Sequence, residues 1–190
     1  MERKYIEEKD FEKIDFEKMP FQQAEYENCQ FLSCNFSNAD LSNTDFINCT
    51  FDKCNLSNSK LVNVVLRDII FKDCKMLGIQ FDTCNNFGMS FSFNNCILNH
   101  AIFYGIKIKH TNFTNCQLQG VDFTDCDLAN SVFNTCDLLN STFSNTNLEK
   151  VDFSSSINFS IDPEKNKVKK AKFSVSGLVG LVGKYNIDIV

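Results

Sequence analysis

The amino-acid sequence predicts an all-β solenoid, a fold in which one short unit repeats along an axis, and three observations support this prediction. A large apolar residue, Phe or Leu in most cases, returns every fifth position from about residue 21 to residue 153. A small residue lies two positions before it, as in Cys29-Gln30-Phe31 and Ala39-Asp40-Leu41. A period of five fits neither a straight helix, whose faces repeat about every 3.6 residues, nor a strand, whose faces alternate.

The geometry of one unit explains why it should coil. If the large residue is position i and the small one i−2, both lie on the same side of an extended segment, while i−1 points to the other side. When i−2 and i face inward in every unit, positions i+1 and i+2 must turn the chain by the same angle each time. The path then closes into a coil, and successive coils stack into a solenoid.

The repeat resembles the pentapeptide-repeat family, whose consensus Ala-(Asp/Asn)-Leu-X-X stands here as Ala39-Asp40-Leu41-Ser42-Asn43. The resemblance extends over residues 14–153, which is most of the chain. It implies a right-handed quadrilateral β-helix in which four units make one square coil. Residues twenty apart are then expected to lie directly above one another.

The N-terminal segment, residues 1–13, has mixed charge and no apolar run long enough for a signal peptide or a membrane anchor. We therefore expect a cytoplasmic protein without a membrane contact. Lys4 and Lys9 occupy i−2 positions, and a lysine cannot point into a closed shaft without a partner. Residues 1–13 are accordingly predicted to form a partly exposed strand or lid, and residues 14–153 the closed β-helix.

All ten cysteines occupy the i−2 position. There they should behave as small buried apolar residues in a reducing compartment. Parallel side chains one strand spacing apart are too far apart for a relaxed disulfide, and no Cys-X-X-Cys spacing suggests zinc. The predicted core ladder consists of Cys34, Cys54, Cys74, Cys96, Cys116, Cys136, Phe31, Phe51, Phe71, Phe123 and Phe143.

The repeat slips by two residues within the segment 85–92, because Phe81 and Leu98 belong to different frames. A two-residue bulge or short loop must absorb the difference, and Gly88 suits an unusual backbone conformation. The bulge could be a kink that the rod tolerates, or a partner-binding feature. In the second case Asn86, Phe87 and Gly88 would form it.

Candidate catalytic and metal-binding residues do not cluster. His100 and His110 are the two histidines; half a coil separates them, so they cannot share a metal or act as a pair. No Ser, Cys or Thr has a base held beside it, as nucleophilic catalysis requires. Acids such as Asp40 and Asp152 occupy i−1, where the family consensus itself has Asp or Asn. We therefore predict no enzyme activity, no metal and no cofactor.

The repeat fails after Phe153, and residues 154–173 are predicted to form a turn at Asp162-Pro163 followed by a basic lid. A nucleic-acid site would need aromatic or motif support nearby, so we expect no direct nucleic-acid binding.

Residues 174–190 are predicted to form a short helix, whose face of Leu178, Leu181, Val182 and Tyr185 should cover the last coil, and a final strand. This ending resembles the C-terminal dimerisation module of quinolone-resistance members of the family. It implies a capping segment that joins a homodimer. The expected dimerisation residues are Leu178, Leu181, Val182, Tyr185, Ile187 and Ile189.

The leading functional hypothesis is a non-catalytic interaction rod with an unknown partner. The alternative, which the resemblance implies, is a DNA mimic that binds DNA gyrase or topoisomerase IV and confers quinolone resistance. The net charge of −5 is compatible with this, but residues 21–160 carry fourteen acids and eight bases. DNA has one charge per about 1.7 Å, so the mimicry would be dilute, and the chain lacks the long loops of many resistance members. An enzyme or metal protein is the third hypothesis.

Overall fold

The computed structural model describes residues 4–188, which form a β-helix of short parallel strands. Most strands have three residues, because each side of a coil is only one repeat unit wide. One sheet has the order β1-β3-β5-β7 and the other β11-β10-β9-β8-β6-β4-β2. The strands are β1 (Tyr5–Glu7), β2 (Asp10–Glu12), β3 (Glu25–Glu27), β4 (Gln30–Leu32), β5 (Asp45–Ile47), β6 (Thr50–Asp52), β7 (Val65–Arg67), β8 (Ile69–Lys72), β9 (Phe91–Asn94), β10 (Asn112–Thr114) and β11 (Val132–Asn134).

Helical structure is confined to short pieces. A 3-10 turn spans Phe81–Thr83, and the tail contains a 3-10 turn at Ser176–Leu178, the helix α1 at Val179–Val182 and a 3-10 turn at Gly183–Tyr185. No helix within residues 4–188 has the length and apolarity that crossing a membrane requires.

The strand register confirms the predicted parallel β-helix. Phe11 lies beside Phe31, Phe31 beside Phe51, and Phe51 beside Phe71, always twenty residues apart. The two remaining sides of the shaft are joined by isolated parallel bridges at the same spacing, such as that between residues 15 and 35. Each coil therefore places its residues above their equivalents in the coil before.

Two columns of stacked phenylalanines form much of the core. The ring centroids of Phe31 and Phe51 are 4.7 Å apart with an interplanar angle of 11°; those of Phe123 and Phe143 are 5.1 Å apart at 13°. The columns meet edge to face, as Phe123 and Phe133 do at 89°. Such pairs add roughly 0.5–1.5 kcal/mol beyond apolar burial. One column contains Phe11, Phe31, Phe51, Phe71, Phe93, Phe113, Phe133, Phe153 and Phe173.

Most corners of the coils are formed by a single residue at i+2 in the left-handed conformation, with φ between 50° and 69°. Glycine adopts this conformation freely, and Asn, Asp and His adopt it more readily than other residues. His100 has φ 61° and His110 has φ 59°. Both histidines therefore occupy positions where the backbone turn accounts for their residue type.

The frame slip is an insertion between Asn85 and Phe91. Val65 pairs with Asn85, twenty residues later, whereas Ile69 pairs with Phe91, twenty-two residues later. Phe71 accordingly stacks on Phe93 at 5.2 Å, and the register of twenty then resumes. The column of Phe71 and Phe93 passes through the insertion without a break. Asn86, Phe87 and Gly88 lie on the surface, whereas Met89 is buried in the core.

The N-terminal boundary of the β-helix differs from the predicted position at residue 14. Strands β1 and β2 pair with β3 and β4 in the register of the later coils. Residues 4–13 therefore form partly exposed strands, the first of the two predicted alternatives, and these strands belong to the first coil. Lys4 and Lys9 are tolerated because they lie at the open end of the shaft. Both are exposed, and Lys4 Nζ donates a hydrogen bond to Gln22 Oε1 at 2.9 Å.

The C-terminal boundary also differs, because residues 154–173 continue the coil. Ile157 pairs with Asp137, and Lys172 with Asp152. A polar residue fills an inward position here, and its hydroxyl is satisfied: Ser156 Oγ donates to the Phe133 carbonyl at 2.7 Å. The predicted turn at Asp162-Pro163 is present, since the Glu164 amide donates a hydrogen bond to Asp162 Oδ1 at 2.9 Å. Lys167 and Lys172, by contrast, pair with the preceding coil and do not form a separate lid.

The predicted short C-terminal helix is confirmed, whereas residues 186–188 form no strand. A strand requires a hydrogen-bonded neighbour. Within residues 4–188 the last parallel bridge joins Asp152 to Lys172, well before this segment. Ile189 lies outside the described residues.

We expect Phe51→Ala to lower the free energy of unfolding by about 3–5 kcal/mol, because Phe51 is 1 % exposed and stacks on rings above and below. Gln30→Ala, at an exposed position of β4, is the matched control and should change it by less than about 0.5 kcal/mol. Denaturant unfolding followed by circular dichroism measures both. Equal losses would contradict the assignment of inward and outward positions.

Candidate interaction surfaces

The cysteines are buried and free of disulfides. The six cysteines of the predicted core ladder form one column, because Ile97 lies beside Lys75 after the insertion and places Cys96 above Cys74. The thiols donate to backbone carbonyls, as Cys54 Sγ does to Phe31 O at 3.2 Å. Burial raises the pKa of Cys49 to about 12. A buried thiol whose pKa is raised in this way stays protonated at neutral pH, whereas a reactive cysteine has a lowered pKa.

The acids at i−1 stabilise turns. Asp40 Oδ1 accepts a hydrogen bond from the Ser42 amide at 3.0 Å, and Asp152 Oδ1 accepts one from the Ser154 amide at 3.0 Å. Hydrogen bonds from the two serines lower the pKa of both carboxyl groups. Across residues 4–188, no group of three or more His, Cys, Asp or Glu side chains is arranged to hold a metal ion.

The insertion forms a surface bulge at Asn86, Phe87 and Gly88, all exposed. The Phe87 ring is 78 % exposed, and the Arg67 guanidinium lies 5.5 Å from its centroid, within cation–π range. Gly88 has φ +69°, and a Cβ there would lie 3.3 Å from Arg67 Nε. Glycine is therefore favoured at this position for two reasons: the backbone has a positive φ, and a Cβ would come close to the Arg67 side chain.

Hydrogen bonds at both ends hold the bulge in a defined conformation. The Asn85 side chain accepts from the Phe87 amide at 3.0 Å. Ser90 Oγ accepts from the Asp68 amide at 2.7 Å and donates to Asp68 Oδ1 at 2.9 Å. The bulge thus presents an aromatic ring on a fixed base.

The tail closes the last coil through its glycines. A Cβ at Gly180 would lie 2.3 Å from the Phe159 carbonyl oxygen, and one at Gly177 would lie 2.8 Å from Phe159 Cζ. Leu181 packs against the core from the same segment. The glycines that weaken an isolated helix are thus required for its close approach to the shaft.

An ion pair fastens the end of the tail to the shaft. Lys184 Nζ lies 2.6 Å from a carboxylate oxygen of Asp162 and 2.6 Å from one of Glu164. The Tyr185 hydroxyl also donates to Glu164 Oε1 at 2.9 Å. The turn at Asp162-Pro163 therefore serves as the anchor for the tail.

The expected dimerisation residues divide between cap and surface. Leu181 and Val182 are partly buried, whereas Leu178, Tyr185 and Ile187 are about half exposed. Leu178 and Tyr185, which were expected on the covering face, remain about half exposed, and the glycines of the tail make the close contact with Phe159. The exposed apolar surface of the tail also includes Val175 and Val179.

A groove of about 420 Å³ runs beside the tail helix. Leu139, Ile157, Phe159 and Val179 supply its apolar lining, and Ser174 is among its polar residues. The apolar surface of the tail therefore continues onto the adjoining side of the shaft.

Comparisons with known proteins agree with this architecture. The sequence profile described as a pentapeptide repeat region matches residues 6–81 and 80–153. A search of curated protein sequences finds no significant match. Among solved structures, full-length QnrB1, a plasmid-mediated fluoroquinolone resistance protein, is 20% identical, with 96% of this chain and 100% of that chain covered and a TM-score of 0.56.

A second similar structure is that of HetL, a pentapeptide repeat protein involved in heterocyst differentiation regulation from the cyanobacterium Nostoc sp.. It is 14% identical, with 88% of this chain and 84% of that chain covered and a TM-score of 0.43. At these identities the likeness concerns the fold and not the function.

We expect the folded protein to resist alkylation, since all ten thiols are buried and their protons are engaged by carbonyls or held by burial. Native and denatured samples treated with N-ethylmaleimide and weighed by mass spectrometry give the test. The denatured control should gain ten adducts. Rapid labelling of more than about two cysteines in the native protein would contradict the prediction that the thiols are shielded and unreactive.

Proposed function

Because the chain belongs to the pentapeptide-repeat family, whose profile spans most of it, we propose that it is a non-catalytic interaction rod. The repeat commits its chemically active side chains to structure, with thiols in the core and i−1 carboxylates in turns. Single apolar side chains are exposed along the shaft, but the two most exposed are Phe87 in the bulge and Val175 in the tail, and the tail exposes several apolar side chains close together. This exposure is the observation that carries the proposal, since apolar surface patches mark contact sites.

The tail is the proposed contact between two copies of the chain. Val175 is 87 % exposed, and Leu178 and Val179 are about half exposed beside it. The capping face is already occupied by Phe159, so these side chains remain for a partner. A two-fold pairing of identical tails is the simplest symmetric way to cover them. The bulge at residues 86–88 is the second proposed contact.

The alternative is a DNA mimic that binds DNA gyrase or topoisomerase IV and confers quinolone resistance. The fold of a fluoroquinolone resistance protein and the acidic side chains near the N-terminal end favour it. Lysines such as Lys107, Lys167 and Lys169 weigh against it, because they interrupt the negative surface that mimicry requires. The bulge is also far shorter than a projecting loop.

We expect the full chain to be a dimer and Leu178→Asp to raise its dissociation constant at least tenfold, about 1.4 kcal/mol, because a charge would replace an exposed apolar contact. Val62→Asp, at a position of similar exposure on the shaft, is the matched control and should leave the dimer unchanged. Sedimentation equilibrium in high salt measures both. A wild-type monomer at tens of micromolar would overturn the tail contact.

We expect no inhibition of gyrase supercoiling and no relief of fluoroquinolone inhibition by micromolar protein, because the shaft is only sparsely negative. A supercoiling assay with and without the drug, using QnrB1 as the reference, measures this. Inhibition or protection comparable to the reference would favour the DNA mimic and identify the partner.

A further inference from the structure

One side of the shaft, which we name the β1 face, carries strands β1, β3, β5 and β7. Lys107 follows Asn85 in this column. Ile102 pairs with Gln80 on the preceding side of the shaft, and Lys107 and Asn85 each lie five residues, or one repeat unit, further along the chain. At a coil spacing of roughly 4.8 Å the column is about 40 Å long. Its outward i−1 residues are, in order, Tyr5, Glu25, Asp45, Val65, Asn85, Lys107, Asp127, Asn147 and Lys167.

Charge divides this face into two halves. We count the outward i−1 position of each repeat unit together with the i+1 and corner positions that follow it in the same unit. The first three coils then have carboxylates and no base among these positions, whereas the coils after the insertion have six lysines and two carboxylates. The acidic half contains Glu7, Glu8, Glu25, Glu27 and Asp45; the basic half contains Lys107, Lys109, Lys150, Lys167, Lys169 and Lys170, with Asp127 and Glu149.

Few charges of the basic half are neutralised within the chain. Lys109 pairs with Asp127 at 3.1 Å. The other five lysines form no ion pair with any residue in the described range 4–188. This half of the face therefore presents positive charge that is available to a partner.

Three carboxylates of the acidic half also lack an ion pair within residues 4–188. Among the residues that the structure describes, Glu7, Glu8 and Glu25 form no ion pair with a base. Glu27 accepts a hydrogen bond from the Tyr5 hydroxyl at 2.7 Å, which leaves its negative charge in place. A partner surface that is basic at this end and acidic at the other would complement the whole face.

The bulge lies at the boundary between the two halves. Asn85, at its base, is the middle residue of the outward column, and the Phe87 ring stands beside Arg67. Arg67 and its corner neighbour Asp68 carry opposite charges, so this coil adds no net charge to either half. A two-fold axis near this point would bring the Phe87 rings of two copies towards one another.

We propose that the β1 face binds a second copy of this chain in antiparallel orientation. A second copy has the required length and the same division of charge, so each half meets its complement in both directions. The acidic half would repel a nucleic acid or a uniformly acidic protein. The basic half would repel a uniformly basic protein. Parallel pairing would set like charges against each other.

This inference deepens the proposed interaction function by naming the partner of one face, but it does not depend on the tail contact. The tail surface is apolar and lies at the end of the shaft, so salt should not weaken it. The β1 face is charged and lateral, and its attraction is screened over roughly 8–10 Å at physiological salt. Ionic strength therefore separates the two contacts.

The test uses the full chain carrying Leu178→Asp, which removes the tail contact. Sedimentation velocity is measured at about 50 mM and about 500 mM salt, where screening lengths differ severalfold. We expect association at low salt that is lost at high salt. Glu7→Lys with Glu25→Lys, or Lys167→Glu with Lys169→Glu, should each raise the dissociation constant at least tenfold, and an equal mixture of the two reversed proteins should recover association.

Asp10→Lys with Glu12→Lys is the matched control, because it makes the same charge change on exposed residues of the neighbouring strand β2. It should leave the association intact, and circular dichroism checks that every variant retains its β-helix. Absence of low-salt association, insensitivity to both reversals, or failure of the mixture to associate would each overturn the proposal. The proposed tail contact is tested separately: it would be contradicted if Leu178→Asp left the association of the chain at high salt unchanged.

Discussion

Parallel hydrogen bonding between residues twenty apart governs every other feature of the molecule. It places each side chain above its equivalent in the preceding coil, so each inward position must hold a residue that can pack directly on a similar residue below it. Phenylalanine rings meet this requirement at centroid distances near 5 Å, as Phe31 does on Phe51 and Phe113 on Phe133. Cysteine meets it by donating to the carbonyl of the preceding coil, as Cys54 does. Residue usage that looks chemically suggestive in the sequence is thus a consequence of stacking.

The same register decides where interactions can occur. Inward residues are enclosed, and the corner residues are selected for left-handed backbone angles, which accounts for His100 and His110 without any catalytic role. Recognition is left to the outward columns, the open ends and any interruption of the register. The insertion after Asn85 is such an interruption, and it places Phe87 on the surface because the core columns continue without it.

Stacking also gives the surface a long-range electrostatic order. Charges that are scattered in the sequence collect on one side of the shaft, because positions twenty apart align. Glu7 and Glu27 fall together in this way, and Lys150 and Lys170 share one corner. A linear count of charge, which suggested a dilute acidic rod, cannot show that one face is divided into opposite halves.

The coil, the inward frame and the position of the insertion could all be predicted from the amino-acid sequence, because each follows from a local period that stacking repeats. The limits of the β-helix could not. Lys4 is accepted at an open end, and Ser156 is accepted inside because its hydroxyl reaches a carbonyl. The capping role of Gly180 and the divided β1 face emerged only from the folded chain, since both depend on distances between residues far apart in the sequence.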